Sequence, residues 1–139
     1  MKHVLDKIEK EKIAQEIAAI ILKSCPGLVA VYLFGSFVTE EPFSDIDIGI
    51  LMEGPEAELL DTELKLETEL EKNIPYPVDV RMMNGAPVPF ARNVIGEGIV
   101  ILDKHKNDRA DFEALTLKKY FDFSHFRKRY LEDIANAPL

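Results

Sequence analysis

The sequence predicts an α/β domain, a small mixed β-sheet flanked by helices and followed by a C-terminal helical tail. Three observations lead there. Short apolar runs of strand length, "LVAVYLF", "DIDIGILM" and "VDVRMM", are rich in β-branched and aromatic residues. Segments with apolar residues at helical spacing precede and separate them. The 139 residues suffice for one domain with a real core and are too few for two ordinary ones.

From Val4 to Lys23, Leu5, Ile8, Ile13, Ile17, Ile20 and Ile21 recur at near-helical spacing between lysines and glutamates, and Ser24-Cys25-Pro26-Gly27 ends this first helix. Cys25 is the single cysteine, which excludes an intrachain disulfide; it reads as a small apolar residue closing the helix. Leu28 to Phe34 is a central strand that stops at Gly35. A loop with Pro42 in it follows, and Asp45 to Met52 is a second strand, with Asp45, Asp47 and Gly49 on one face and Ile46, Ile48 and Ile50 on the other.

Glu53-Gly54-Pro55 is a break. Glu56 to Asn73 then carries Leu59, Leu60, Leu64, Leu66 and Leu70 as an amphipathic helix, whose many acids read as a solvated face. Pro75-Tyr76-Pro77 enters a third strand, Val78 to Met83, in which Asp79 and Arg81 share one side. Pro87 to Val94 is a short helix interrupted at Gly96 and Gly98, Ile99 to Leu102 a short fourth strand, and Asp103 to Arg109 a polar linker. From Asp111 onward a helical region carries Phe112, Leu115, Tyr120, Phe121, Phe123, Phe126, Tyr130, Leu131 and Ile134. Two readings of these side chains stay open: ordinary core packing, or a surface that binds a partner. The predicted organisation is one domain over 1–139, with an N-terminal helix at 1–24, a core at 28–102 and the tail at 110–136.

A composition of 47% hydrophobic and 30% charged residues is that of a soluble globular protein, and no stretch approaches the roughly 18 apolar residues of a membrane span. The N-terminal residues are charged and lack an apolar signal core, so the expected location is the cytoplasm. Seventeen basic against 25 acidic residues give a net charge of −8, which disfavours direct binding of tRNA or DNA, since phosphate-tracking proteins cluster Lys and Arg. A protein or small-molecule partner fits better. His3, His105 and His125 are scattered, without metal-ligand spacing.

The chemistry points to the aspartates. Burying a carboxylate is costly unless a cation or hydrogen-bond donors meet it, yet Asp45 and Asp47 sit at alternate positions of a segment full of isoleucines, and Asp79 stands between valines on another strand. Paired carboxylates one residue apart on a strand suit Mg²⁺, which binds a few carboxylates together with substrate phosphates. The Gly35-Ser36 turn frees backbone N–H groups, and adds a hydroxyl, for a phosphate. The structural alternative is that Asp45 caps a turn while Asp47 and Asp79 pair with Arg81 or Arg92.

These residues carry a resemblance. "GSFVTEEPFSDIDIGI" followed by "VDV" resembles the nucleotidyltransferase superfamily that includes DNA polymerase β, the aminoglycoside nucleotidyltransferases and the minimal nucleotidyltransferases. The resemblance covers roughly Leu28 to Leu102 and implies the polymerase β-like fold. It matches Gly35 and Ser36 to the turn that holds the nucleoside triphosphate, and Asp45 and Asp47 to the pair that binds two Mg²⁺. Asp79 matches the third acid, which completes the metal site and helps deprotonate the attacking hydroxyl. The spacer from Ser36 to Asp45 is shorter than in many members and lacks their arginine and glycine after the serine.

The size and the tail are similar to those of minimal nucleotidyltransferases that act as antitoxins beside a helical HEPN-domain RNase toxin. That similarity implies AMP transfer from ATP to a tyrosine of the toxin. A stand-alone enzyme acting on a small hydroxylated molecule, and an antitoxin that masks its toxin without catalysis, are the alternatives; self-association stays open in each.

Overall fold

The computed structural model describes residues 1–39, 42–54 and 59–137. Its first helix, α1, runs Lys7–Ser24 and begins later than the apolar periodicity suggests, because the Asp6 side chain accepts the Glu9 N–H at 2.8 Å and caps the helix there. Cys25 closes the helix, buried, with its Sγ 3.4 Å from Met52 Sδ; burial pushes the thiol above its ordinary pKa, more than the Lys104 charge pulls it down.

Four strands follow: β1 (Leu28–Phe34), β2 (Ile46–Met52), β3 (Val78–Met82) and β4 (Ile99–Asp103), in the spatial order β3-β2-β1-β4. β1 pairs antiparallel with both β2 and β4, while β2 and β3 are parallel. A parallel pair needs a crossover, and the helix α2 (Leu59–Glu71) supplies it. Of the ends expected for this helix, Asn73 lies in the turn beyond it, and Glu56 lies outside the described residues.

The sheet has two unequal faces. On one, Val31, Leu33, Ile46, Ile48, Ile50, Val78, Val80 and Met82 form the main core with Ile17 and Ile21 of α1 and Leu66 and Leu70 of α2. On the other, Ala30, Tyr32, Leu51 and Met83 pack under Ala91 and Val94 of α3 (Val88–Glu97) and Phe112 of α4 (Lys106–Ala135). Gly96 lies within α3 and does not interrupt it. The helix stops at Gly98, where a β-carbon would stand 2.6 Å from the Val94 carbonyl oxygen and 2.7 Å from that of Leu33.

The polar stretch expected to link β4 to the tail is instead structured. Asp103 ends β4, and α4 starts at Lys106. Arg109 draws the helix onto the sheet: its Nε stands 3.0 Å from Asp103 Oδ1, and its Nη1 donates to Glu113 Oε1 at 2.9 Å. The same Glu113 oxygen accepts the Tyr32 hydroxyl at 2.9 Å, and burial together with this bond holds the phenol well above its ordinary pKa. Beyond Tyr120 the helix leaves the core, and Phe121, Phe123, Phe126, Tyr130, Leu131 and Ile134 are all more than half exposed. Core packing therefore does not explain these side chains.

The acids of α2 also depart from expectation. Glu63 and Glu67, one turn apart, accept the backbone N–H groups of Met82 and Val80, each at 2.9 Å. They satisfy the outer edge of β3, where unpaired strand donors would otherwise invite another chain.

Candidate functional site

The second face of the sheet is covered over β1 by α3 and α4, and opens over β2 and β3. There Asp79 is half-buried and Arg81 exposed, alternating with the buried Val78, Val80 and Met82. Parallel register pairs Asp47 with Asp79, and antiparallel register pairs Asp47 with Phe34, the last residue of β1. Asp45 stands exposed one residue before β2. Sheet pairing thus draws residues separated by more than thirty positions of sequence to one shelf.

Asp47 carries the electrostatic signature of that shelf. Its carboxyl is pushed up to about 6, chiefly by burial, then by the charges of Asp79 and Asp45, with Arg81 opposing. Arg81 Nε donates to Asp79 Oδ1 at 3.2 Å. The pairing of Asp79 with Arg81 weighed in the sequence is therefore present. Arg92 takes no part in it; its guanidinium lies over the Tyr120 ring, 5.2 Å from the centroid.

Gly35 opens a short 3₁₀ turn, Gly35–Val38, directly after β1. Its φ of +74° is one that glycine adopts without strain, and a β-carbon on it would stand 3.1 Å from Asp47 Cγ and closer still to Oδ2. Glycine thus lets the turn backbone lie against the carboxylate. The turn is held from below: Phe37 and Phe43 are buried edge-to-face at 4.9 Å between centroids. Lys10 Nζ sits 5.5 Å and 5.7 Å from the two centroids and donates to the Thr39 carbonyl at 2.8 Å. The Ser36 carbonyl accepts both the Thr39 N–H, at 3.2 Å, and the Thr39 hydroxyl, at 2.9 Å.

The residues present fit a divalent cation. Three carboxylates, from Asp45, Asp47 and Asp79, face one guanidinium, and the donor set is all oxygen, as Mg²⁺ requires. Their oxygens do not all come within 4.8 Å of one another. Among the described residues the trio that does converge so closely is a different one, Glu53, His105 and Asp108. Sequence reading missed it: His105 and Asp108 stand three apart, a usable helical spacing, but Glu53 lies 52 residues before His105 and only the fold brings it near.

A family model described as polymerase beta nucleotidyltransferase matches residues 7–107. The chain belongs to the polymerase β nucleotidyltransferase family. No curated protein matches it. Among solved structures, it resembles a chain in the complex of tri-AMPylated Shewanella oneidensis HEPN toxin with MNT antitoxin, at 21% identity, with 91% of this chain and 98% of that one covered and a TM-score of 0.72. A chain of the toxin–antitoxin MntA–HepT matches at 21% identity over 90% of this chain and 98% of that one, TM-score 0.71. A chain of a toxin–antitoxin structure with AMP-PNP matches at 22% identity over 88% and 98%, TM-score 0.71. At these identities the likeness is one of fold. No helix among the described residues is long and apolar enough to cross a membrane.

Proposed function

We propose that this protein transfers AMP from ATP to a hydroxyl group, that the acceptor is a tyrosine of a HEPN-type toxin, and that the chain acts as the antitoxin of such a pair in the cytoplasm. The observation that carries the reading is the shelf itself: Asp47 in register with Asp79, Asp45 just before it, and the Gly35-Ser36 turn against the Asp47 carboxylate. The whole described chain works as one unit, α1 backing the sheet and α4 continuing from it.

Gly35 and Ser36 bind the triphosphate through backbone N–H groups and the serine hydroxyl. Asp45, Asp47 and Asp79 would hold two Mg²⁺, which would supply positive charge to stabilise the entering oxygen and the departing pyrophosphate. The acceptor oxygen bonds to the α-phosphorus as the bond from that phosphorus to the bridging oxygen breaks, and pyrophosphate leaves with the electron pair. Asp79 takes the hydroxyl proton, its carboxylate oriented by Arg81. A protein acceptor is favoured by the outer half of α4, whose exposed Phe121, Phe126 and Tyr130 offer aromatic anchors for a partner.

The test is transfer of label from α-labelled ATP to a purified HEPN toxin. Labelled toxin tyrosine with the wild-type chain, and none with Asp47→Asn, is the expected result. Toxin neutralisation without transfer would replace this reading with the masking antitoxin. Labelling of a small hydroxylated molecule in place of the toxin would replace it with the stand-alone enzyme.

A further inference from the structure

We infer that Glu53, His105 and Asp108 form a second metal site, remote from the aspartate shelf and suited to a first-row transition ion such as Zn²⁺. One donor atom from each residue lies within 4.8 Å of the other two. The donor set differs in kind from the shelf: an imidazole nitrogen with two carboxylates favours Zn²⁺ and its neighbours, whereas oxygen alone favours Mg²⁺.

The backbone holds the three in place. Glu53 directly follows β2, and its N–H donates to the Gly27 carbonyl at 2.8 Å. Lys104 and His105 both donate to the Val29 carbonyl, at 2.9 Å and 3.2 Å. The entry to β1 thereby fixes both ligand-bearing segments. His105 occupies the N-cap position of α4 without a capping side-chain hydrogen bond, and Asp108 lies in the first turn, three residues on, so both reach the same side of the helix.

Glu53 and His105 make a loose ion-pair contact. His105 Nε2 stands 3.8 Å from Glu53 Oε1, beyond hydrogen-bond distance. Metal bonds of about 2.0–2.2 Å from each would close that gap through small side-chain rotations. The partial positive charge of a helix N-terminus, roughly half a unit, opposes a cation, but two carboxylates outweigh it.

Glu53 lies six residues beyond Asp47 along the strand direction, on the order of 20 Å away. An ion there takes no part in phosphoryl chemistry. It clips the exit of β2 to the root of α4, the helix whose outer half carries the exposed aromatic surface.

The experiment uses the full chain stripped with chelator, with Zn²⁺ alone as the probe, followed by calorimetric titration and thermal unfolding. One equivalent should bind, and at free Zn²⁺ about 100 times Kd the melting temperature should rise by roughly 5–10 °C. Asp47→Asn should keep that response. His105→Ala and the isosteric Glu53→Gln should lose most of it, while His105→Ala keeps Mg²⁺-dependent transfer. Co²⁺ should give visible absorption bands in the wild type that change in Glu53→Gln. Three outcomes would overturn the site: no Zn²⁺ uptake by the wild type at millimolar ion, uptake undiminished in both variants, or uptake lost in Asp47→Asn and kept in His105→Ala.

Discussion

The Asp47 carboxylate lies against the α-carbon of Gly35, on the side where any other residue would carry its β-carbon. Gly35→Ala sets a methyl into that carboxylate at a φ of +74°, which L-residues adopt at a cost of about 1–2 kcal/mol. We expect it to lower stability by roughly that amount and to weaken ATP binding more than tenfold, because the turn must move off the shelf. Thermal unfolding and an ATP titration measure the two effects; unchanged ATP affinity would show that the turn does not hold the nucleotide.

The metal-free protein should lose stability as pH rises from about 4 to about 6. Asp47 keeps its proton up to about pH 6 in the fold but releases it near 3.8 when unfolded, so between these values the folded chain binds more protons. Its contribution is present below pH 4 and is lost as pH passes 6. With the group half-exposed to solvent, the loss is on the order of 1 kcal/mol. Urea unfolding across this range, in chelator, should show the fall in the wild type and a flatter profile, more stable above pH 6, in Asp47→Asn.

Asp79→Asn preserves size and hydrogen bonding to Arg81 while removing the charge that, in the proposed reaction, draws the hydroxyl proton. It should spare most ATP affinity and lower transfer by at least on the order of 100-fold. Transfer of label and ATP binding, measured side by side, separate the two roles, and full activity would remove Asp79 from the reaction.

Glu67→Ala frees the Val80 N–H on the outer edge of β3, as Glu63→Ala frees that of Met82. Each should destabilise the fold by about 1.5–3 kcal/mol, the range for hydrogen bonds to charged groups. Glutamine at either position, still an acceptor, should restore much of the loss. Self-association of the double alanine variant, followed by light scattering, should rise because that edge then stands open.

Truncation after Tyr120 removes the exposed aromatic half of α4 and keeps Phe112, Glu113 and Tyr120, which tie the helix to the sheet and to α3. The shortened chain should stay folded and melt within a few degrees of the full one, yet no longer capture a HEPN toxin. Unfolding of the shortened chain would show that the outer helix serves the core.

The strands, their order along the chain and the residues of the shelf were legible in the sequence because each leaves a local trace. Alternation set Ile46, Ile48 and Ile50 opposite Asp47, and the burial of all three isoleucines follows that period. A turn needing glycine and acids among apolar neighbours marked Gly35, Asp47 and Asp79. Helix ends were read less well, since the Asp6 cap, the start of α4 at Lys106 and the continuation of α3 through Gly96 depend on contacts that periodicity does not record.

Other features existed only once the chain was folded. The acids of α2 looked like a solvated face, but the crossover lays Glu63 and Glu67 along the edge of β3, where backbone donors take them up. The aromatics of the tail fitted a core or a surface equally well by spacing. The sheet decided between them by ending: α4 has β1 and α3 to pack on as far as Tyr120 and no further element beneath it beyond, among the described residues. Glu53, His105 and Asp108 converge for the same reason. Residues distant in sequence meet only where hydrogen bonds between strands, here those to the Gly27 and Val29 carbonyls, fix the chain in space, and no local pattern encodes that meeting.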